Sequence, residues 1–165
     1  MSSEVPAAPA DSAGAAPEGS PLGRLAARRQ ELQAQRTPLD LDVPGYGGAL
    51  VARYGFVGYQ EAAKTAKRLE RVPDEAARNL LGCIDQLTMA CIGLFERDDD
   101  GELTQVADGF GPDLAEILGF EAETAREVVQ GTFPDEWAII RQAQAHSEWL
   151  NRESPEVDSD LLGEA

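Results

Sequence analysis

A chain of 165 residues can bury one real core and is too short for two domains of ordinary size. Its hydrophobic fraction of 42%, with 16 glycines and 10 prolines, places part of the chain outside that core. The net charge of −16 is concentrated in residues 79–165, where four basic residues face twenty acidic ones; that half repels nucleic acid and anionic membrane surfaces and attracts a basic protein surface.

Residues 1–21 are Ala, Pro, Ser, Gly and acid with Val5 as the one sizeable apolar side chain, a composition that predicts disorder because nothing in it offsets the entropy of ordering. Residues 22–36 change to helix formers and read as a weak amphipathic helix, with Leu22, Leu25 and Leu32 on one side. Thr37-Pro38 stops it, since the residue before a proline is driven to extended geometry. A globular domain is expected over 37–150. Its first part, 39–57, alternates apolar and polar residues on either side of Pro44-Gly45-Tyr46-Gly47-Gly48 and predicts a β-hairpin. The glycine loop has neither phosphate-binding spacing and returns to a strand instead of opening a helix, so it reads as a turn.

Tyr59 to Arg71 predicts a polar helix whose thin apolar side is Ala62, Ala63, Ala66 and Leu69, with Lys64, Lys67, Arg68 and Arg71 facing solvent. The stretch Pro73–Phe95 reads as the central core helix: Pro73 suits a first turn, Asp74 and Glu75 favour its positive end, and apolar residues recur from Ala77 to Phe95 at helical spacing. On that reading Cys83 and Cys91 lie on one helix about 12 Å apart, too far to pair, and both are reduced core residues.

Residues 96–107 invite an EF-hand reading, with Glu96, Asp98, Asp100 and Gly101 at loop positions one, three, five and six. Position twelve, which needs a bidentate Glu, is Ala107; Asp99-Asp100-Gly101 is therefore read as a tight turn, with Leu103, Gln105 and Ala107 as a short strand on one side of it. Further helices are expected over Gly111–Phe120, with Leu114, Ile117 and Leu118 inward and Gly119 as the cap, and over Glu121–Thr132. A last one follows Pro134-Asp135-Glu136 to Leu150, with Trp137 and Trp149 as core. His146, the single histidine, reads as a surface or capping residue, because no Cys or second His stands near it in sequence. Residues 151–165 form an acidic tail in which Val157, Asp158, Asp160, Leu161 and Leu162 are the candidate partner-binding residues.

The expected fold class is thus mainly α with a small N-terminal β-hairpin (α+β), a single helical domain with disordered tails. No GxSxG, HExxH or Cys–His pairing is present, so no catalytic residue, cofactor site or metal site is assigned and the chain is read as a non-enzyme. It has no stretch with a secretory-signal layout and none that reads as a transmembrane helix, which points to the cytosol.

The run LDLDVPGYGGALVARYGFV, the long apolar stretch ending ACIGLFERDDDGEL, then LAEILGFEAETAREVVQGTFPDEWAIIRQAQAHSEWL and the terminal DLLGE resemble, in that order, the tail assembly chaperones of long-tailed bacteriophages of actinobacteria. The resemblance spans residues 37–165. It implies a largely helical, non-catalytic protein of the host cytoplasm that holds the tape measure protein and recruits tail tube protein during virion assembly, with self-association possible and neither nucleic acid nor membrane as partner. A small acidic adaptor or regulatory subunit is the alternative, and a calcium-dependent binding module the third.

Overall fold

The computed structural model describes residues 19–35 and 37–153, the side chains of 32–35 and 153 excepted. The chain forms two compact units, Met1–Thr37 and Pro38–Ala165. In the first, helix α1 runs Pro21–Gln35. Ser20 Oγ accepts the Gly23 N–H at 3.0 Å, a cap just ahead of a proline at the first helical position. Leu22 and Leu25 are both exposed on it.

The second unit is built on a four-stranded antiparallel sheet in the order β1-β2-β3-β4, with β1 Leu39–Asp42, β2 Leu50–Tyr54, β3 Cys91–Arg97 and β4 Leu103–Ala107. The β1–β2 hairpin forms as its alternation predicts, pairing Leu39 with Tyr54 and Asp42 with Val51. Its loop depends on glycine: Gly45, Gly47 and Gly48 have φ of 97°, 61° and 86°, a region other residues rarely adopt.

The sheet overturns the expectation of a helical domain carrying one small N-terminal hairpin. Strands occur on both sides of a helix pair, α2 Tyr59–Leu69 and α3 Glu75–Ala90, which carries the chain from β2 to its neighbour β3. The central stretch Pro73–Phe95 is therefore not one helix. Asp74, not Pro73, opens α3: its carboxylate accepts the Ala77 N–H at 2.8 Å. The helix stops at Ala90 because the Ala90 carbonyl receives the N–H of Gly55 at 2.8 Å, directly after β2, and Cys91 enters the sheet opposite Tyr54. A continuous apolar run fits a buried strand as well as a buried helix. Here Leu94 points into the core opposite Ala52, while Phe95 pairs with Val51 on the other face. The two cysteines thus lie on different elements, both free and half-buried, and burial pushes the Cys91 thiol up to about 11.

Helices α3, α4 (Pro112–Leu118), α5 (Ala125–Thr132) and α6 (Glu136–Glu153) cover one face of the sheet. Leu50, Ala52 and Tyr54 of β2 and Leu94 of β3 meet Ile84, Leu87, Leu114, Val128, Val129 and Ile139 there. Local chemistry fixes each helix. Gly119 caps α4 in the left-handed conformation, and Thr124 with Glu127 forms a capping box on α5. The N–H groups of Glu123 and Thr124 hold the Glu127 carboxyl below its usual range. Asp135 caps α6 as Asp74 caps α3, its carboxylate accepting the Ala138 N–H at 2.8 Å, so the two Pro-Asp-Glu openings do share one capping chemistry.

On the opposite face the sheet covers itself. Arg53 donates twice to Asp40, at 2.7 and 3.0 Å, with its guanidinium 4.3 Å above the Phe95 ring; Arg97 reaches Asp42 at 3.0 Å and the Gly48 carbonyl at 2.8 Å. Val51, between Asp42 and Phe95 in this layer, is 0% exposed. A Cβ on Gly93 would come within 3.0 Å of the Phe95 ring, which explains a glycine in a central strand.

Candidate functional site: a groove between three helices

Helix α2 touches the rest of its unit along a narrow strip. Thr65 and Leu69, four residues apart, are its buried positions; they rest on α3, with the Leu69 methyl near Gly82 and the Thr65 hydroxyl 3.5 Å from Met89 Sδ. Ala62 and Ala66 flank that strip and leave a gap between α2, α3 and the last two turns of α6. The result is an open groove of about 330 Å³ whose apolar walls include Val57, Ala66, Leu69, Met89 and Leu150. Small alanines on α2 create the space, since a larger residue at either position would fill it.

The polar groups in the floor are Gln86 and Ser147, and both are engaged from below. The two protons of the Gln86 amide nitrogen face three acceptors, the Ala143 carbonyl at 3.2 Å, Ser147 Oγ at 3.0 Å and His146 Nδ1 at 2.8 Å. On the other side of the ring, His146 Nε2 lies 2.9 Å from the Gly55 carbonyl. The Gly55 carbonyl only accepts, so Nε2 carries a proton, and the Gln86 NH2 only donates, so Nδ1 accepts: the imidazole is neutral. Burial lowers its pKa, in part opposed by the Gly55 hydrogen bond. Beside it the Tyr54 hydroxyl donates to Gln142 Oε1 at 2.8 Å, and Gln142 Nε2 donates to the Asp42 carbonyl at 3.1 Å. Trp149 stacks against both His146 and Phe56. This network ties the ends of β1 and β2 to α3 and α6 directly beneath the groove. Among the described residues no buried side-chain nitrogen or oxygen lacks a partner.

Outside the groove, α2 carries a charged recess of about 600 Å³ lined by Glu61, Lys64, Lys67, Arg68, Glu70 and Arg71. It is larger than the groove, but its walls are long charged side chains of α2 and of the two residues that follow it, which makes it a poor enclosure. Its chemical content is a cluster of four bases beside two acids.

Several sequence expectations change here. His146 is not a surface or capping residue; it is 0% exposed, because Ile139, Gln142, Ala143, His146 and Trp149 fall on one buried stripe of α6. Trp137 is 68% exposed and Ile117 56% exposed, whereas both were expected inside. Trp149 is core, as expected. The calcium-loop candidate is a β-hairpin turn between β3 and β4: Asp98 Oδ1 accepts the N–H groups of Asp100 and Glu102, both at 2.9 Å, and Ala107 is buried in β4. An EF-hand needs helices on both sides of its loop. Among the described residues no three His, Cys, Asp or Glu side chains converge as metal ligands, and no helix is long and apolar enough to cross a membrane. The candidate partner-binding residues Val157, Asp158, Asp160, Leu161 and Leu162 lie outside the described residues, as do residues 1–18.

Sequence reasoning found one wall of the groove in Ala62, Ala66 and Leu69 but missed Gln86, Met89 and Ser147. The signal for these was Gln86 and Met89, three apart on α3, together with Ser147, which follows the one histidine. Compared with protein-family models, curated proteins and solved structures, the chain matches none.

Proposed function

We propose that this protein is a bacteriophage tail assembly chaperone, acting in the host cytoplasm without catalysis to hold the tape measure protein and bring tail tube subunits to it. The resemblance of residues 37–165 supplies the identity of the client. The observation that carries a binding role is the groove between α2, α3 and α6: apolar walls, a floor whose Gln86 amide nitrogen and Ser147 hydroxyl are engaged within the fold, and a helix lip made of small residues. Such a site accepts a helix by its apolar face, where each leucine-sized anchor contributes roughly 1.5–3 kcal/mol before ordering costs. A long helical client supplies many such anchors, and several weak sites along one chain act together.

The test is co-purification of the chain with a tape measure fragment of the same phage, followed by sedimentation. The expected result is a complex that Ala62→Glu/Ala66→Glu abolishes while leaving the melting temperature unchanged, since both alanines are exposed. A strict monomer with no affinity for the fragment refutes the chaperone reading.

A further inference from the structure

We propose that the groove reads one side-chain amide: the helix it binds carries a glutamine or asparagine in its apolar face, which gives a proton to Gln86 Oε1 and takes one from the Ser147 hydroxyl. This rests on the groove as the helix-binding site described above, and not on the identity of the client.

The hydrogen bonds beneath the groove fix what it presents above. The Ala143 carbonyl only accepts, so the end of Gln86 that lies 3.2 Å from it is the NH2; a flipped amide would set two oxygens against each other. The same nitrogen lies 2.8 Å from His146 Nδ1, on a ring whose proton is held by the Gly55 carbonyl. Oε1 therefore points away from both. It has no hydrogen-bond partner among the described residues, and it is not a buried atom, since no buried side-chain oxygen there lacks a partner. Gln86 lines the groove, so that is where its Oε1 opens. Ser147, beside it on the groove wall, accepts from Gln86 Nε2 at 3.0 Å and keeps its own proton, for which the described residues hold no acceptor. Thr65, the other polar residue of the walls, is already engaged: its hydroxyl accepts from Arg68 at 3.1 Å and faces Met89 Sδ at 3.5 Å.

The open hydrogen-bonding capacity of the groove is thus one acceptor and one donor, side by side within apolar walls. A primary carboxamide carries an N–H and a C=O on one planar group and answers both at once. A carboxylate has no proton for Oε1. An ammonium has no acceptor for Ser147, and it would stand near Arg68, whose guanidinium reaches the groove wall at Thr65. An aliphatic side chain would take both polar groups out of water and give nothing back, which is the costly case.

The probes are synthetic amphipathic helices, identical except for one guest position in the middle of the apolar face, filled by Gln, Ser, Leu or Glu. They are titrated into the full-length chain labelled with 13C at its two methionine methyls, Met1 and Met89, the latter in the groove wall. The glutamine peptide is expected to bind roughly tenfold tighter than the leucine peptide and to shift Met89 but not Met1. Ser147→Ala should lower that ratio severalfold with the melting temperature unchanged, because the two Gln86 protons still have Ala143 and His146 to meet. Gln86→Leu should reverse the preference; it also takes a donor from His146, and Ser147→Ala keeps the test independent of that loss. A serine or leucine peptide that binds as tightly as the glutamine one overturns the proposal. So does a ratio that Ser147→Ala leaves unchanged, binding that leaves Met89 unmoved, or no binding by any of the peptides. A tape measure fragment is titrated alongside: no binding of the fragment while the glutamine preference holds sinks the chaperone reading alone, and a bound fragment with no guest preference sinks the amide reading alone.

Discussion

Lowering the pH from 6.5 to 5.5 titrates one side chain whose folded environment rejects the proton. His146 accepts at Nδ1 from Gln86 and donates at Nε2 to Gly55, so protonating it places an N–H against the Gln86 amide nitrogen in a site with 0% exposure. Its folded pKa is lowered, chiefly by burial, and in the unfolded chain it titrates near 6.5. The unfolded state therefore binds more protons in this window, and stability rises with pH. The stabilising contribution is complete above the unfolded pKa and is lost as pH falls below it, levelling off once the folded ring also protonates. If the folded ring stays neutral throughout, the loss from pH 6.5 to 5.5 is about 1 kcal/mol. The assay is urea unfolding at half-unit pH steps for wild type and His146→Gln at constant ionic strength. With no second histidine, the difference between the two curves isolates this ring. The wild type should lose stability across the window while the variant stays level; parallel curves refute the neutral, buried imidazole and the network drawn around it.

Other substitutions test the core and its hydrogen bonds. Leu94→Asp and Leu87→Asp should each prevent folding, because both side chains are fully buried and an unpaired carboxylate there costs several kcal/mol; circular dichroism showing a wild-type melt for either variant contradicts the core assignment. Tyr54→Phe leaves Gln142 Oε1 without its donor and should cost about 1–3 kcal/mol in urea unfolding, far more than the loss of an exposed hydroxyl. Gly131→Ala should destabilise even though Ala is the better helix former by about 1 kcal/mol, since the added Cβ would clash with the Phe120 ring. In a Phe120→Ala background the same change should become stabilising, and a gain in both backgrounds shows that the ring moves aside.

Elements with local signals were legible in the sequence. The first hairpin followed from period-two alternation around three glycines, and the end of α4 from Gly119; the start of α5 did not, since a helix was expected from Glu121 and the Thr124–Glu127 box opens it at Ala125. What misled was the run from Leu87 to Phe95. Its apolar content satisfies helix and strand alike, and the deciding interaction, Gly55 N–H on the Ala90 carbonyl, joins residues 35 apart in the chain. Missing β3 turned one strand of the four into helix and put Cys83 and Cys91 on one element. The groove was half visible, as an alanine-rich strip on α2 needing something to pack against. Its other walls come from α3 and α6, and nothing local to Gln86 or Ser147 announces that they meet under His146. His146 itself looked isolated because its partners are a glutamine and a backbone carbonyl, groups that carry no ligand or catalytic signature in sequence.

The most direct measurement is the soluble yield of the tape measure protein when co-expressed with this chain. Wild type should hold the client in the soluble fraction, and Ala62→Glu/Ala66→Glu, which places two carboxylates at the groove's lip, should leave it aggregated while the variant itself melts like wild type. Equal client solubility with both proteins contradicts the groove as the client-binding site.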